Sequence, residues 1–465
     1  MYLSITHNVF TVMEILAPLL KNKQKQKLLW DHIVKNVAKP SMKAFIYAYL
    51  YLVLPKAIGR ILSAIKKNKY DKILPRIKKT MINALHPLKF PVFSASLVAG
   101  INILEPIVLG IFKKNKVLKN PTSRLFFATL VSALVSAIVT FPAYQNHVLG
   151  YGRYNSLDLT LLLATRAMDT ALSSSLAKVA PPSLAKYGDA LLFIASCTCI
   201  MFCWFFYPEK LPPSYHKWIT SAANMDVELW EVLRLVRQKK IVYGEHGPYE
   251  DFLIPYFEKY GEDPRRANTV RTQPIECEAV HAFKTKSCEI HALWRFWRGF
   301  EFAASVYTPL NLLMLLFPSK TKMSVRLLRA IRSSVRSSCF LGAYIGFYWY
   351  AVCLARTRLF PKLFPHIPRV RFDDTICAAS GAFACGFSSF IETAQRRKEL
   401  ALFVAPRGLG TLVPSEPTKK NLAIESIVFS ISLAVLVAYS KNNSSSVRGI
   451  FGKGLKQVFN IQSFE

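Results

Sequence analysis

Long apolar runs alternate with short, strongly basic stretches along this chain. Ala190 to Tyr207 and Ser337 to Ala355 contain no charged residue, and Phe90 to Phe112 contains only Glu105. Runs near 20 apolar residues match a hydrocarbon core of ~30 Å at a helical rise of ~1.5 Å per residue. The pattern predicts membrane-spanning helices, and so many in one chain make the fold class an all-α polytopic membrane protein. Five apolar elements come first: Lys43 to Ile65, Phe90 to Phe112, Leu125 to Tyr144, Leu157 to Ala177 and Ala190 to Tyr207. A polar stretch from Ile219 to about Trp294 reads as a solvent-exposed linker with an amphipathic helix at Val227 to Gln238. Five more follow: Phe300 to Phe317, Ser337 to Ala355, Thr375 to Ile391, Leu400 to Val413 and Leu422 to Tyr439.

The second series restates the first in weaker form. FIYAYLYLVLP (Phe45 to Pro55) is echoed by FEFAASVYTPL (Phe300 to Leu310), and DALLFIASCTCIMF (Asp189 to Phe202) by ESIVFSISLAVLVAY (Glu425 to Tyr439). A repeat of this length predicts two tandem related units of four to five helices each, as in transporter-like and channel-like folds. The expected division is an amphipathic N-terminal segment at 1–40, a first membrane unit at 41–218, a polar linker at 219–294 and a second membrane unit at 295–465. Parity refines the count. A basic stretch follows the first element in both series, and the positive-inside bias puts both on one side. That favours four spans and one interfacial or re-entrant element per unit. The fourth element is the outlier, since Leu400 to Val413 is short and holds Pro406, Arg407, Gly408 and Gly410.

The net charge of +33 lies between the apolar runs. Lys56 to Lys89 has ten Lys/Arg against the single acid Asp71, and Lys320 to Arg336 has six and no acid. Flanking spans, such clusters meet anionic lipid headgroups at about 1 kcal/mol per residue. No nucleic-acid-binding module accompanies them, so lipid and not nucleic acid is the expected partner. Seven of the nine cysteines fall in apolar runs, where they act as small apolar residues.

Candidate chemistry is sparse. Cys277, His281, Cys288 and His291 offer four ligands with spacings that could close around Zn²⁺, although one helix could not present all four. A redox-dependent Cys277–Cys288 pair and plain packing are the other readings. Arg166 and Asp169 stand at i, i+3 on an apolar segment and can face each other on one helix side, either as an ionisable pair at membrane depth or as a solvated pair where the helix lies at the interface. Glu105, a lone acid in a good span, either lines a polar path or pairs with a base on another helix, Arg166 being one choice. Small residues at four-residue spacing (Ser132/Ser136, Gly342/Gly346, Ala378/Ala382/Gly386) predict close helix packing, with a homo-oligomer face as the alternative. His246 and Asp251 match the His-x4-Asp pattern of glycerolipid acyltransferases, but no phosphate-binding block follows.

Three pieces of the chain resemble the transmembrane protein 135 family, which is related in part to mitochondrial preprotein translocase channel subunits and small peroxisomal membrane proteins. They are Cys277, His281 and Cys288 followed by Tyr307, Pro309 and Leu310; the acidic pair and Gly/Ala-rich span of Asp373 to Ser389; and PPSYHKWI at Pro212 to Ile219. The resemblance implies mitochondrial or peroxisomal membranes and roles in organelle morphology and lipid homeostasis. It implies no catalytic mechanism. The expectation is a non-enzymatic organiser of organelle membranes. A transporter or channel for a lipid or small metabolite, with Glu105, Arg166 and Asp169 near its path, is the alternative.

Overall fold

The computed structural model describes residues 30–31, 33–67, 73–115, 118–149, 155–176, 182–316, 318, 321–414, 416–442 and 446–459. The expected amphipathic segment lies outside these residues up to position 29. Among the described residues every regular element is helical. The first are α1 (Lys39–Lys67), α2 (Ile73–Ala84), α3 (Phe90–Lys114), α4 (Pro121–Leu149), α5 (Asn155–Leu176) and α6 (Pro182–Phe206). The middle of the chain gives α7 (Pro213–Ala223), α8 (Val227–Arg237), α9 (Ile254–Lys259) and α10 (Cys277–Val280). The last are α11 (Cys288–Leu313), α12 (Met323–Cys353), α13 (Cys377–Cys385), α14 (Ala394–Gly410), α15 (Lys419–Asn442) and α16 (Gly449–Phe459).

Among the described residues, eight helical stretches are long and apolar enough to cross a membrane. α5 and α14 are not among them. These are the fourth element of each series, the pair that the parity argument sets apart. The reason is local: α5 carries Asp158, Arg166 and Asp169, and α14 opens on Arg396, Arg397, Lys398 and Glu399. Prolines inside α1, α3, α4, α11 and α14 leave the helices continuous. Spanning helices tolerate them because neighbouring groups re-satisfy the freed carbonyls.

The chain divides into two units, and neither coincides with an N-terminal or C-terminal half of the sequence. The first unit holds the residues up to Val179 together with Glu416–Glu465, and the second holds Ala180–Ser415. The boundaries read from the sequence, 41–218 and 295–465, therefore do not coincide with them. The fifth element of each series is what differs: α6 belongs to the second unit and α15 to the first.

Within the first unit, α3 packs on α1 and α4, and α15 packs against α4 and α5. Its core is aromatic. Phe141 stacks on Phe429 at 3.9 Å between ring centroids, and Phe93 stacks on Tyr144 at 4.4 Å. Ser136 donates to the Leu97 carbonyl at 2.9 Å, so one residue of the small stripe on α4 ties it to α3.

Within the second unit, α12 packs on α11 and α13, and α6 packs on α13 and α14. Small residues permit these approaches. A Cβ on Gly342 would stand 2.7 Å from the Phe296 carbonyl oxygen, and one on Gly381 would stand 2.9 Å from that of Tyr348. Gly342, Gly346 and Gly386 of the two stripes thus make close contacts inside the unit.

The stretch 219–294 is not the solvent-exposed linker its charge suggests. Leu229, Val232, Leu233 and Val236 form a buried stripe on α8 at helical spacing, and Leu253, Tyr256 and Phe257 are buried beside them in the second unit's core. Tyr256 donates to the Ala279 carbonyl at 2.8 Å, and the Trp230 indole N–H donates to Phe205 at 2.9 Å. Four apolar positions on a short helix are diluted in any long hydropathy window, yet they suffice to dock it. The segment is a folded cap.

Candidate functional site

The cap meets the spanning helices at the Cys/His cluster. α10 ends at His281, and the chain then turns through Ala282 and Phe283, at φ of 52° and 54°. Two consecutive non-glycine residues in the left-handed region cost about 1–3 kcal/mol each and persist only where their surroundings fix them. Here the Phe283 ring is held by Phe257 at 4.9 Å and Tyr256 at 5.7 Å. The turn brings the His281 Nδ1 to 2.8 Å from the Thr285 carbonyl. A carbonyl only accepts, so the proton sits on Nδ1 and the Nε2 lone pair is free to face Cys353 Sγ at 3.3 Å.

His281, Cys288 and Cys353 are all buried, with ligand atoms within 4.8 Å of one another. Cys288 opens α11, where the Ser287 hydroxyl accepts the Ile290 N–H at 3.3 Å, and Cys353 closes α12. Cys277 lies beside Cys288, with its thiol 3.0 Å from the Thr357 hydroxyl. Burial pushes the Cys277 thiol up, against the pull of the Arg356 charge. Arg358 reaches the Cys288 thiol.

His291 is not part of this group. Its ring stacks on His281 at 4.3 Å, and its Nε2 accepts from Arg295 Nε at 3.3 Å. Arg295 is itself buried over Trp349 and donates to the Ala223 and Asn224 carbonyls at 3.0 and 2.8 Å. His291 therefore backs the cluster from the cap-facing side of α11. Cys353 takes the place the sequence reading gave it. As one cysteine among several in apolar runs, it carried no signal of its own.

Glu105 and Asp169 lie in the first unit, and each meets a cation from near the end of the chain. Glu105 accepts from Lys441 of α15 and from the Thr129 hydroxyl, both at 2.5 Å, and Lys441 also reaches Asn102 at 3.2 Å. Asp169 is held by two nitrogens of Arg448, Nε at 3.0 Å. The base that meets Asp169 comes from just before α16. Both cations lie near the end of the chain, out of reach of any local pattern.

Two further features had no sequence signal. The second unit has a partly open cavity of about 300 Å³ lined by Phe193, Trp204, Tyr215, Tyr348, Trp349 and Phe403 among others. Its wall is almost wholly apolar, and the buried Tyr348 hydroxyl has no hydrogen-bond partner among the described residues. A separate recess of about 380 Å³ in the same unit carries Arg234, Arg237, Lys239 and Arg371 against the one acid Asp374.

His246 and Asp251 do not form a catalytic pair. The His246 Nδ1 is 3.0 Å from Glu250, its side chain is 85% exposed, and Asp251 instead accepts from Asn268 at 2.7 Å.

The helices, their lengths and their apolar faces make this an all-α, multi-pass integral membrane protein. Comparison with protein-family models, with curated proteins and with solved structures returns no match for the chain.

Proposed function

We propose that this protein handles lipid in an organelle membrane, holding an acyl chain in the aromatic cavity of its second unit. The cavity is the observation that carries the reading. Its volume falls at the low end of small-molecule sites, roughly 300–1,000 Å³. An apolar wall takes an acyl chain from the bilayer without a desolvation cost, and it offers a polar metabolite no compensating partners. The recess with Arg234, Arg237, Lys239 and Arg371 supports contact with anionic headgroups, as do the basic flanks of the spans. The resemblance to the transmembrane protein 135 family supports a mitochondrial or peroxisomal site and a part in membrane organisation and lipid homeostasis. The acyltransferase pattern finds no support, since the His246 and Asp251 side chains turn to other partners.

The transporter alternative set its path at Glu105, Arg166 and Asp169. Glu105 and Asp169 are each held by a cation from the chain's last fifty residues, which favours a structural role for them. We also propose that the two units are related copies whose fifth helices are exchanged. What supports this is the parallel packing order: first on second and second on third in each series, with α15 on the third and fourth elements of the first series and α6 on those of the second.

Lipid extraction and native mass spectrometry of the full chain in mild detergent test the reading. Wild type should carry co-purifying acyl lipid. Leu341→Trp and Val404→Trp, which fill the cavity, should each lower its content by about tenfold, the loss that 1.4 kcal/mol produces. Folded variants with unchanged lipid content would refute acyl binding at this cavity.

A further inference from the structure

We propose that His281, Cys288 and Cys353, completed by Cys277, form a structural Zn²⁺ site that fastens the cap to the ends of two spanning helices. The site is independent of the lipid reading.

Four residues of this kind match the Cys₃His set of closed structural zinc centres. In such a tetrahedron, with Zn–N near ~2.0 Å and Zn–S near ~2.3 Å, a ligand nitrogen and sulfur stand about 3.5 Å apart. His281 Nε2 and Cys353 Sγ already stand at 3.3 Å. The three buried ligand atoms need only contract from a spread of 4.8 Å, while Cys277, outside that group with its thiol on Thr357, would turn toward Cys288 to complete it.

The surroundings fit as well. Zinc-bound histidines almost always donate the second ring N–H to a carbonyl or carboxylate, which fixes the tautomer and the ring plane. The His281 Nδ1 contact with Thr285 does this, and the left-handed turn at Ala282 and Phe283 is what allows it. Binding would release three thiol protons to solvent, forming three Zn–S bonds and one Zn–N bond with no change in oxidation state. The product carries one net negative charge. Arg358, at the Cys288 thiol, and Arg356, acting on Cys277, stand ready to balance it.

The cap is already held by its buried α8 stripe and by the Tyr243–Asp373 and Arg356–Ile275 bonds, none of which closes on the ends of α11 and α12 together. A metal drawing one ligand from α11, one from α12 and two from the α10 turn joins three elements at one point. The competing chemistry, a Cys277–Cys288 disulfide, would remove both thiolates from the metal and leave Cys353 and His281 unconnected to it.

Metal content of the full-length protein, purified in detergent under reductant and read by inductively coupled plasma mass spectrometry, tests this. Wild type should hold one zinc per chain. Cys353→Ala and His281→Ala should lower the content at least about tenfold, because structural zinc binding is a large part of local folding free energy. His291→Gln and Cys339→Ala should retain it. Should the site variants fail to fold, cobalt exchanged into wild type decides: tetrahedral d–d bands and sulfur-to-cobalt charge transfer of three-thiolate strength are expected. Folded wild type without zinc and without that spectrum would overturn the proposal. So would a Cys353→Ala protein with undiminished metal, or a Cys277–Cys288 disulfide in protein isolated anaerobically.

Discussion

In the first unit, Glu105 and Asp169 meet lysine and arginine from the far end of the chain, and the pairs keep some exposure: 16% and 15% for Glu105 and Lys441, 10% and 27% for Asp169 and Arg448. In the second unit, Arg356 and Asp373 pair at 1% and 0% exposure. The Arg356–Asp373 pair is also roofed by the cap, since Tyr243 donates to Asp373 at 2.5 Å and Arg356 donates to the Ile275 carbonyl. The first unit thus uses ions to fix a distant helix against its bundle. The second unit uses them to fix a surface segment onto its spans. A partly exposed pair can relax toward solvent or headgroups when one partner goes. A fully enclosed one cannot.

That contrast orders three outcomes by size. Arg356→Met leaves Asp373 buried and unpaired, and should cost about 3–5 kcal/mol, read as denaturant unfolding in detergent micelles. Pairing it with Asp373→Leu should recover most of that loss. Equal losses for the single and the double variant would show that the ions matter for more than their mutual neutralisation.

Lys441→Met leaves Glu105 with the Thr129 hydroxyl and should cost about 1–3 kcal/mol in the same measurement. A loss as large as that of Arg356→Met would erase the distinction between the two units.

The smallest effect lies on the surface of the cap. Arg266 bonds Glu262 and Glu278 at 2.8 Å, and Glu276 as well. The guanidinium holds the Glu278 carboxyl below its ordinary value of 4.5. A depressed carboxyl pKa contributes stability at pH above the unfolded value and loses it as pH falls through the folded value. Arg266→Gln should therefore weaken the cap at neutral pH by less than about 1 kcal/mol and shift its acid-induced opening to higher pH. Hydrogen exchange of the α8–α10 amides, followed from pH 6 to pH 3, would show an unchanged profile if the cluster were idle.

The pattern of apolar runs was enough to place ten helices, to class the protein as all-α and membrane-spanning, and to set α5 and α14 apart. Those properties depend on composition over about 20 residues, and any spanning segment must satisfy its backbone internally whatever its neighbours are. Cys277, His281 and Cys288 were legible because they are close in the chain. Cys353, Lys441 and Arg448 were not, because nothing local distinguishes a cysteine that meets a histidine from one that packs against leucine, or a basic flank that pairs from one that faces lipid. The cap was hidden for a related reason: its core stripe is four residues on a short helix flanked by charged stretches, and burial follows from what docks beneath it. Tertiary structure also decided which bundle each fifth helix joins. Hydropathy tells a segment that it belongs in lipid, where all apolar faces are alike; the choice of neighbour comes from packing, small residues and ion pairs.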